Sequence, residues 1–259
     1  MSGRRRPPVR PGAGRERRVG SYARLDHDRV RRVGVPEVVL GEGKTVEHLL
    51  GIVRALLDDH RGAFVSRPTA AQRTALGRLS ARGKPLRFLA AGRLVRVPGP
   101  LDTRYRDGTV ALLAAGTSDV PTAEEAAALL EELGIRIERA YDVGVAGLHR
   151  LLRALARLER ARPEAYLVFA GREGALPTVV AGLVAAPVIG VPTSVGYGRG
   201  GRGEAALVAM LQSCAPVAVV NIDAAVPAAL FAAQHFAVRP RARGTPRQVG
   251  RRRGASPAP

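Results

Sequence analysis

The chain has 259 residues, of which 46% are hydrophobic, so it is long enough for one large or two modest globular domains. Its single cysteine excludes an internal disulfide, and the absence of a Cys/His cluster at ligand spacing excludes a zinc site. No stretch has the roughly 18 uninterrupted apolar residues of a membrane span, and the arginine-rich start lacks the apolar segment of a secretory signal, so we expect a cytoplasmic protein without membrane contact.

Most of the formal net charge of +19 lies at the two ends of the chain. Residues 1–20 and 239–259 carry seven arginines each, are rich in Pro and Gly, and have no apolar period, which predicts disordered tails. Aromatic residues are not interleaved with these arginines, so the stacking platforms of single-strand binders are missing. We expect contact of the tails with nucleic acid to be non-specific, and a composition bias toward Arg and Ala explains such tails without any function.

Residues 21–105 are predicted to form a small α+β domain. Leucine and valine recur at helical spacing between Thr45 and His60, which indicates a helix. Arg87–Val97 alternates in the manner of a short hairpin.

Residues 106–238 are predicted to form an α/β domain with a parallel sheet, because short apolar runs alternate with amphipathic helices. The five candidate strands are Val110–Ala115, Ile135–Tyr141, Tyr166–Ala170, Pro187–Val191 and Val217–Ile222. The predicted helices are one opened by the capping box Thr122–Glu125 and closed by Gly134, one over Leu148–Leu158, one over Leu176–Val184 and one over Glu204–Gln212.

Four successive loops after these strands are rich in Gly, Ser, Thr and acids. Ligands of open parallel sheets bind at this edge, where helix N-termini present free N–H groups to anions. Each loop alone is ordinary turn chemistry, but four together predict one binding site. The loops span residues 116–119, 141–144, 171–177 and 192–198.

The segment Gly198–Gly203 has the spacing of a dinucleotide fingerprint, with Asp223 about twenty residues further on. That fingerprint normally follows the strand of the first βαβ unit directly, whereas this segment comes after the fourth strand and an insertion. We interpret it as a glycine loop that offers two arginines to phosphate, and a dehydrogenase is a weaker alternative.

Cys214 is the candidate nucleophile, although a lone cysteine in an Ala/Val-rich chain is more often a small buried hydrophobe. The segment Ser213–Pro216 places the thiol at a helix end before a strand, where a loop exposes it. A helix C-terminus disfavours a thiolate, and this junction is at the opposite end of its strand from the four loops. Delivery of Cys214 into a neighbouring subunit's site resolves the second difficulty, so we expect a homo-oligomer with shared active sites.

A series of motifs in a fixed order carries a family resemblance over roughly residues 22–235. They are Arg24–Asp26, Gly34–Glu37, Gly116–Asp119, Tyr141–Gly147 with His149-Arg150, Glu173–Pro177, Val191–Gly198, Ser213–Pro216 and Asn221–Asp223. With them the chain resembles the nickel-pincer cofactor biosynthesis protein B family of lactate racemase maturation, the pyridinium-3,5-biscarboxylic acid mononucleotide synthases. The C-terminal half is also similar to purine-pathway aminoimidazole ribonucleotide carboxylases, which implies a three-layer, flavodoxin-like domain.

The resemblance implies carboxylation of the pyridinium ring of nicotinic acid adenine dinucleotide by carbon dioxide or bicarbonate, and hydrolysis of its phosphoanhydride to release AMP. A pyridinium ring is too electron-poor to attack carbon dioxide, whereas addition of the Cys214 thiolate makes its meta carbon nucleophilic. A carboxylate must then remove the proton from that carbon. Glu173 is the first candidate for this base and Asp142 is the second.

The same resemblance assigns the loops to the phosphate, carboxylate and ribose groups of the substrate. Asp119 is expected to position ribose or a metal, and a helix cap beside Pro121 is the alternative. Magnesium is expected to assist the phosphoanhydride step, although no residue pattern identifies its ligands, and no tightly bound organic cofactor is expected. The predicted substrate-binding residues are Gly116, Thr117, Ser118, Asp119, Gly144, Gly171, Gly174, Ala175, Leu176, Pro177, Ser194 and Gly196.

Two segments depart from the family pattern. Arg199–Gly203 replaces Ala-Ser-Phe-Gly-Gly, and Ala224-Ala225 replaces an Asn-Gly pair. The first departure changes the residues available to a nucleotide, and neither departure touches Cys214 or Glu173. Two alternative functions stay open, which are a non-catalytic nucleotide-binding protein with RNA-contacting tails and a purine-pathway aminoimidazole ribonucleotide carboxylase or mutase.

Overall fold

A computed structural model describes residues 15–81, 83 and 85–238 of the chain. The predicted tails therefore lie outside the described residues, apart from residues 15–20. Within the described part, no helix is both long and apolar enough to cross a membrane.

The described chain begins with a β-hairpin, formed by β1 (Glu16–Val19) and β2 (Ala23–Asp26). The first strand falls inside the range that we predicted as a tail. Its position is fixed because the Arg17 guanidinium donates to the Ala55 carbonyl oxygen at 3.0 Å and to the Asp59 carboxylate. Arg17 belongs to the arginine-rich run that we predicted to be disordered, but it forms an ion pair with Asp59, which is distant in sequence.

The N-terminal region forms a four-stranded mixed sheet in the order β3-β4-β6-β5. The predicted helix after Thr45 is present, and the Thr45 hydroxyl caps it by accepting from the His48 N–H at 3.1 Å. The predicted hairpin is also present, as an antiparallel pair of strands. The elements are α1 (Arg29–Val33), β3 (Val38–Leu40), α2 (Val46–Asp58), β4 (Ala63–Ser66), α3 (Ala70–Ala81), β5 (Arg87–Leu89) and β6 (Leu94–Val97).

The C-terminal region contains the predicted parallel sheet, with five strands in the order β8-β7-β9-β10-β11. This is the flavodoxin-like order, in which the chain changes direction between the first and third strands. Every residue of β7, β9 and β10 is buried, which is why these strands read as continuous apolar runs. The strands are β7 (Thr109–Ala114), β8 (Arg136–Ala140), β9 (Ala165–Ala170), β10 (Val188–Pro192) and β11 (Val217–Val219).

Five helices cover both faces of this sheet, and two of them differ from the prediction. The helices are α4 (Val120–Glu132), α5 (Leu148–Leu158), α6 (Ala175–Ala181), α7 (Glu204–Leu211) and α8 (Ala225–Phe236). The predicted capping box at Thr122 is wrong, because α4 already begins at Val120 after a short 3-10 turn and Thr122 is buried. Helix α8 was not predicted from the sequence, because its alanines are buried against the sheet and give little amphipathic contrast.

Helix α4 joins the two regions into one core. Phe64 and Leu94 of the N-terminal sheet pack in the same apolar cluster as Leu130 of α4. Within this interface Glu125 is completely buried, and it accepts hydrogen bonds from the Ser66 hydroxyl at 2.6 Å and from the Arg93 Nε at 3.2 Å. Burial raises the pKa of Glu125, and these two donors oppose that rise.

We predict that Arg93→Met lowers the free energy of unfolding by about 3 kcal/mol, because it leaves the buried Glu125 carboxylate without its counter-charge. Arg87→Met is the matched control, since Arg87 is largely exposed where it pairs with Glu132 at 2.7 Å, and its loss should cost less than about 1 kcal/mol. Urea denaturation followed by circular dichroism measures both values. Equal effects of the two substitutions would contradict the special role of the interface carboxylate.

Candidate functional site

The carboxylate of Asp119 ties together the loops at the carboxyl edge of the parallel sheet. It follows β7 and is only 4% exposed. One carboxylate oxygen accepts from the Gly116 backbone N–H at 2.8 Å, and the other accepts from the hydroxyl of Thr193, which follows β10. The backbone N–H of Gly171, which follows β9, adds a further attraction. Loops from three strands are therefore held by one side chain.

Burial raises the pKa of Asp119, because removing a carboxylate from water disfavours its charged form. The negative charge of Asp223 acts in the same direction. The hydrogen bonds from Thr193, Gly116 and Gly171 favour the charged form and oppose this rise. Asp119 is thus held by protein groups as a buried connector of loops, and its expected role in positioning ribose or a metal stays a prediction.

The backbone around the sheet edge is left-handed at four non-glycine residues. Asp142, Arg172, Arg202 and Asp223 have φ angles of 55°, 46°, 60° and 55°, and each lies in the loop after a different strand. Such conformations are uncommon outside glycine and persist where surrounding contacts hold them. One of those contacts is the Ser194 backbone N–H, which donates to the Asp223 carboxylate at 2.9 Å. The edge is therefore rigidly shaped around the crossing point between β7 and β9, where ligands of this fold bind.

The predicted substrate-binding residues separate into an exposed set and a buried set. Thr117, Ser118, Ser194 and Gly196 are exposed at the sheet edge, and Gly116, Gly144 and Ala175 are half-buried beside them. Gly171 and Gly174 are buried where loops cross, and a Cβ on Gly171 would lie 2.2 Å from the Val195 carbonyl oxygen. Leu176 and Pro177 are also buried, in the core beneath the loops, and their expected contact with the substrate stays a prediction.

The two candidate bases have different surroundings. The Asp142 carboxylate is paired with the guanidinium of Arg150, which also donates to the Asp142 carbonyl oxygen at 2.7 Å. Glu173 is exposed, and within residues 15–81, 83 and 85–238 its carboxylate has no hydrogen-bond or ion-pair partner. It lies between the left-handed Arg172 and the left-handed Gly174. The free carboxylate at the crossing point is that of Glu173, which favours it over Asp142 as a base.

Cys214 is exposed, and it lies between α7 and the first residue of β11. The loops described above follow the carboxyl ends of the strands, so the thiol is at the other end of the sheet. The neighbouring Ser213 hydroxyl bonds the backbone of Ala215 and so fixes the turn that carries the cysteine. Within one chain, the structure does not bring Cys214 together with Glu173.

A resident metal site is not apparent in the part of the chain that the structure describes. No group of three or more His, Cys, Asp or Glu side chains there is close enough to hold a metal ion. Magnesium is often bound by only one or two carboxylates together with substrate phosphates, so its involvement stays a prediction. No step of the chemistry below depends on it.

Sequence reasoning missed three residues that shape this edge. Thr193 is completely buried and bonds Asp119, and the only signal for it is its place next to Ser194 in the Pro-Thr-Ser motif. Arg172 and Tyr197 form an exposed pair, in which the Arg172 Nη1 donates to the Tyr197 hydroxyl at 2.7 Å. That pair joins loops 25 residues apart, so nothing in the local sequence indicates it.

Two family models match the chain, one after the other. The LarB/PurE-like N-terminal domain matches residues 17–97, and the AIR carboxylase model matches residues 109–245. An uncharacterized protein of Methanocaldococcus jannaschii is 38% identical over 212 residues, which are 81% of this chain and 82% of the relative.

The relatives with a named activity match about half of this chain. The N5-carboxyaminoimidazole ribonucleotide mutase of Pyrococcus horikoshii is 33% identical over 134 residues, which are 50% of this chain and 73% of the relative. The mutase of Pyrococcus abyssi matches with the same identity and covers 74% of that relative. A solved structure of a substituted PurE2 from Treponema denticola is 29% identical, covers 51% of this chain and 80% of that chain, and has a TM-score of 0.42.

We predict that Asp119→Asn destabilises the protein by about 2 kcal/mol, because one loop donor loses its acceptor. The pKa of Asp119 in the folded state is raised above its ordinary value of 3.8. The side chain therefore contributes its full stabilisation below pH 3.8, and this stabilisation is lost as the pH rises through the folded-state pKa. The asparagine does not titrate. The stability difference between wild type and variant should therefore be larger near about pH 4 than near about pH 7.

Denaturant unfolding at both pH values tests this expectation. Asp142→Asn is the matched control, because Asp142 is exposed and its pairing with Arg150 is a surface interaction. A difference for Asp119→Asn that grows with rising pH would show that the buried carboxylate is stabilised more strongly as an ion than the structure indicates.

Proposed function

Because this chain belongs to the AIR carboxylase family and carries a LarB/PurE-like N-terminal domain, we propose that it carboxylates the pyridinium ring of nicotinic acid adenine dinucleotide and hydrolyses its phosphoanhydride. Membership of the family gives a carboxylase-related enzyme. The substrate, the hydrolysis and the covalent cysteine are the proposal. Its products are pyridinium-3,5-biscarboxylic acid mononucleotide, an intermediate of nickel-pincer cofactor synthesis, and AMP.

The observation that carries the proposal is a polar, exposed edge at the crossing point of the sheet. Exposed hydroxyl groups of Thr117, Ser118 and Ser194 lie on the same edge of the sheet as the unpaired carboxylate of Glu173. Hydroxyl and backbone N–H donors suit phosphate and carboxylate oxygens, which the dinucleotide supplies. The loop Gly198–Gly203 adds the exposed Arg199 and Arg202, which offer positive charge to phosphates.

Carboxylation of the ring proceeds in steps that a thiolate makes possible. The Cys214 thiolate adds to a ring carbon, and the positive charge of the pyridinium is lost as a dihydropyridine forms. The electron-rich meta carbon then attacks carbon dioxide, which forms the new carbon–carbon bond and a carboxylate. Glu173 removes the proton from this carbon, and the ring regains its aromaticity as the carbon–sulfur bond breaks and the thiolate leaves. No net oxidation or reduction takes place.

The hydrolytic half of the reaction consumes one water. Water attacks one phosphorus of the phosphoanhydride, the bridging oxygen leaves with the other phosphate, and AMP separates from the dicarboxylated mononucleotide. The exposed donors at the sheet edge would stabilise the charge that develops on the phosphate oxygens.

We further propose that active sites are shared between subunits of a homo-oligomer. The thiol of Cys214 and the carboxylate of Glu173 lie at opposite ends of the parallel sheet, so one chain alone does not assemble both groups. A neighbouring copy that presents its α7–β11 turn to the loop edge would complete the site. The exposed apolar side chains of Val208 and Leu211 on the same helix support a contact there.

A second candidate function is that of an N5-carboxyaminoimidazole ribonucleotide mutase. It is favoured by the 33% identity to such mutases over 134 residues. Those relatives match half of this chain, whereas the LarB/PurE-like model matches residues 17–97 as well. Conversion of N5-carboxyaminoimidazole ribonucleotide by the purified protein, without reaction of the dinucleotide, would establish the mutase instead.

The proposed reaction is tested by incubating the full chain with nicotinic acid adenine dinucleotide, bicarbonate and magnesium. We expect mass spectrometry to detect AMP and the dicarboxylated mononucleotide in equal amounts. Cys214→Ala should abolish carboxylation, because no other cysteine is present to add to the ring, and it should leave the fold and AMP binding intact. Absence of both products from the wild type, or full carboxylation by Cys214→Ala, would refute the proposal.

The shared site gives a complementation experiment. Cys214→Ala and Glu173→Gln should each be inactive alone, because one lacks the nucleophile and the other lacks the base. Subunits of the two variants, dissociated together and reassembled, should recover part of the carboxylase activity in sites that combine a wild-type thiol with a wild-type carboxylate. A mixture of separately assembled variants is the control. Failure to recover any activity after verified subunit exchange would place both residues within one subunit's site.

A further inference from the structure

The exposed pair of Arg172 and Tyr197 has no role in the chemistry described above. Among the large hydrophobic side chains of residues 15–81, 83 and 85–238, that of Tyr197 is the most exposed, at 78%. The Arg172 guanidinium carbon lies 4.6 Å from the centroid of the Tyr197 ring, and its Nη1 donates to the tyrosine hydroxyl at 2.7 Å. The two side chains thus hold each other at the sheet edge through a cation–π contact and a hydrogen bond.

A backbone hydrogen bond links the two loops that carry this pair. Arg172 follows β9 directly after the buried Gly171, and its own N–H donates to the Val195 carbonyl oxygen at 3.2 Å. Its left-handed conformation, with φ of 46°, turns the chain between this bond and the exposed Glu173. An aromatic ring held in this way loses little additional freedom when a planar ligand stacks on it.

From these contacts we infer that Arg172 and Tyr197 form a stacking platform for the adenine ring of the nucleotide, an inference that rests on the proposed function. The planar guanidinium of an arginine and the phenol ring of a tyrosine both stack on nucleobases. The guanidinium lies against one side of the Tyr197 ring, and the high exposure of the residue leaves surface free for a base.

The electron density of the ring face selects which ring of the dinucleotide binds there. The pyridinium ring of the nicotinate is electron-poor before the thiolate adds to it, so its face attracts the guanidinium of Arg172 less than the face of a neutral aromatic ring does. Adenine is neutral at physiological pH, and a guanidinium is attracted to the face of a neutral aromatic ring. The adenine would therefore rest on the pair, and the pyridinium would lie on the other side of the phosphates, toward the carboxylate of Glu173. The platform would act on the AMP half of the substrate.

Two mononucleotides isolate the contribution of the base. AMP and nicotinic acid mononucleotide share ribose and phosphate and differ in the ring, so the ratio of their Kd values removes any effect on phosphate binding. We expect Tyr197→Leu to weaken AMP binding about tenfold, in line with the loss of one base-stacking contact, and to leave the Kd of nicotinic acid mononucleotide unchanged. Arg172→Met should shift the ratio in the same direction. Isothermal titration calorimetry on the full chain measures both ligands.

Phe231→Leu is the matched control, because Phe231 is an exposed aromatic residue on α8, outside the loops, and its loss should leave both Kd values unchanged. An unchanged AMP affinity in Tyr197→Leu, or equal weakening of both mononucleotides, overturns the stacking inference. If the wild type still converts the dinucleotide in that case, the proposed function stands. A wild type that binds neither AMP nor the dinucleotide overturns both.

Discussion

The buried carboxylate of Asp119 is the constraint on which the arrangement of the sheet edge depends. Removing a carboxylate from water is costly, and it is tolerated where donors surround it. Here those donors are the Gly116 N–H, the Thr193 hydroxyl and the Gly171 N–H, each on a loop after a different strand. Because one side chain needs all of these donors, the three loops are fixed relative to one another before any ligand binds.

Helix α4 carries this constraint into the rest of the molecule. It begins immediately after Asp119. Further along, it packs against the N-terminal region, where the buried Glu125 accepts hydrogen bonds from Ser66 and Arg93. Two turns of helix further on, Glu132 pairs with Arg87. Acids on one helix thus offset arginines of the other region, and the same helix contributes to both the interface and the sheet edge.

Parallel topology explains why the thiol and the loops are apart. Every strand of the sheet runs in the same direction, so all the strand-to-helix loops lie at one edge and all the helix-to-strand turns lie at the other. Cys214 belongs to a helix-to-strand turn. Under the proposed mechanism, an assembly of chains is therefore a chemical requirement and not only a means of burying apolar surface.

The sequence by itself determined the class of the fold, the five strands and the edge that carries the loops, because buried strands and amphipathic helices leave periodic patterns that are local. It did not reveal α8, the hairpin at Glu16–Val19, the burial of Asp119 or the Arg172–Tyr197 pair. Asp119 and Thr193 are 74 residues apart, and Arg17 and Asp59 are 42 apart. Such contacts exist only once the chain has folded, since no local period encodes which distant donor a carboxylate or an arginine will meet.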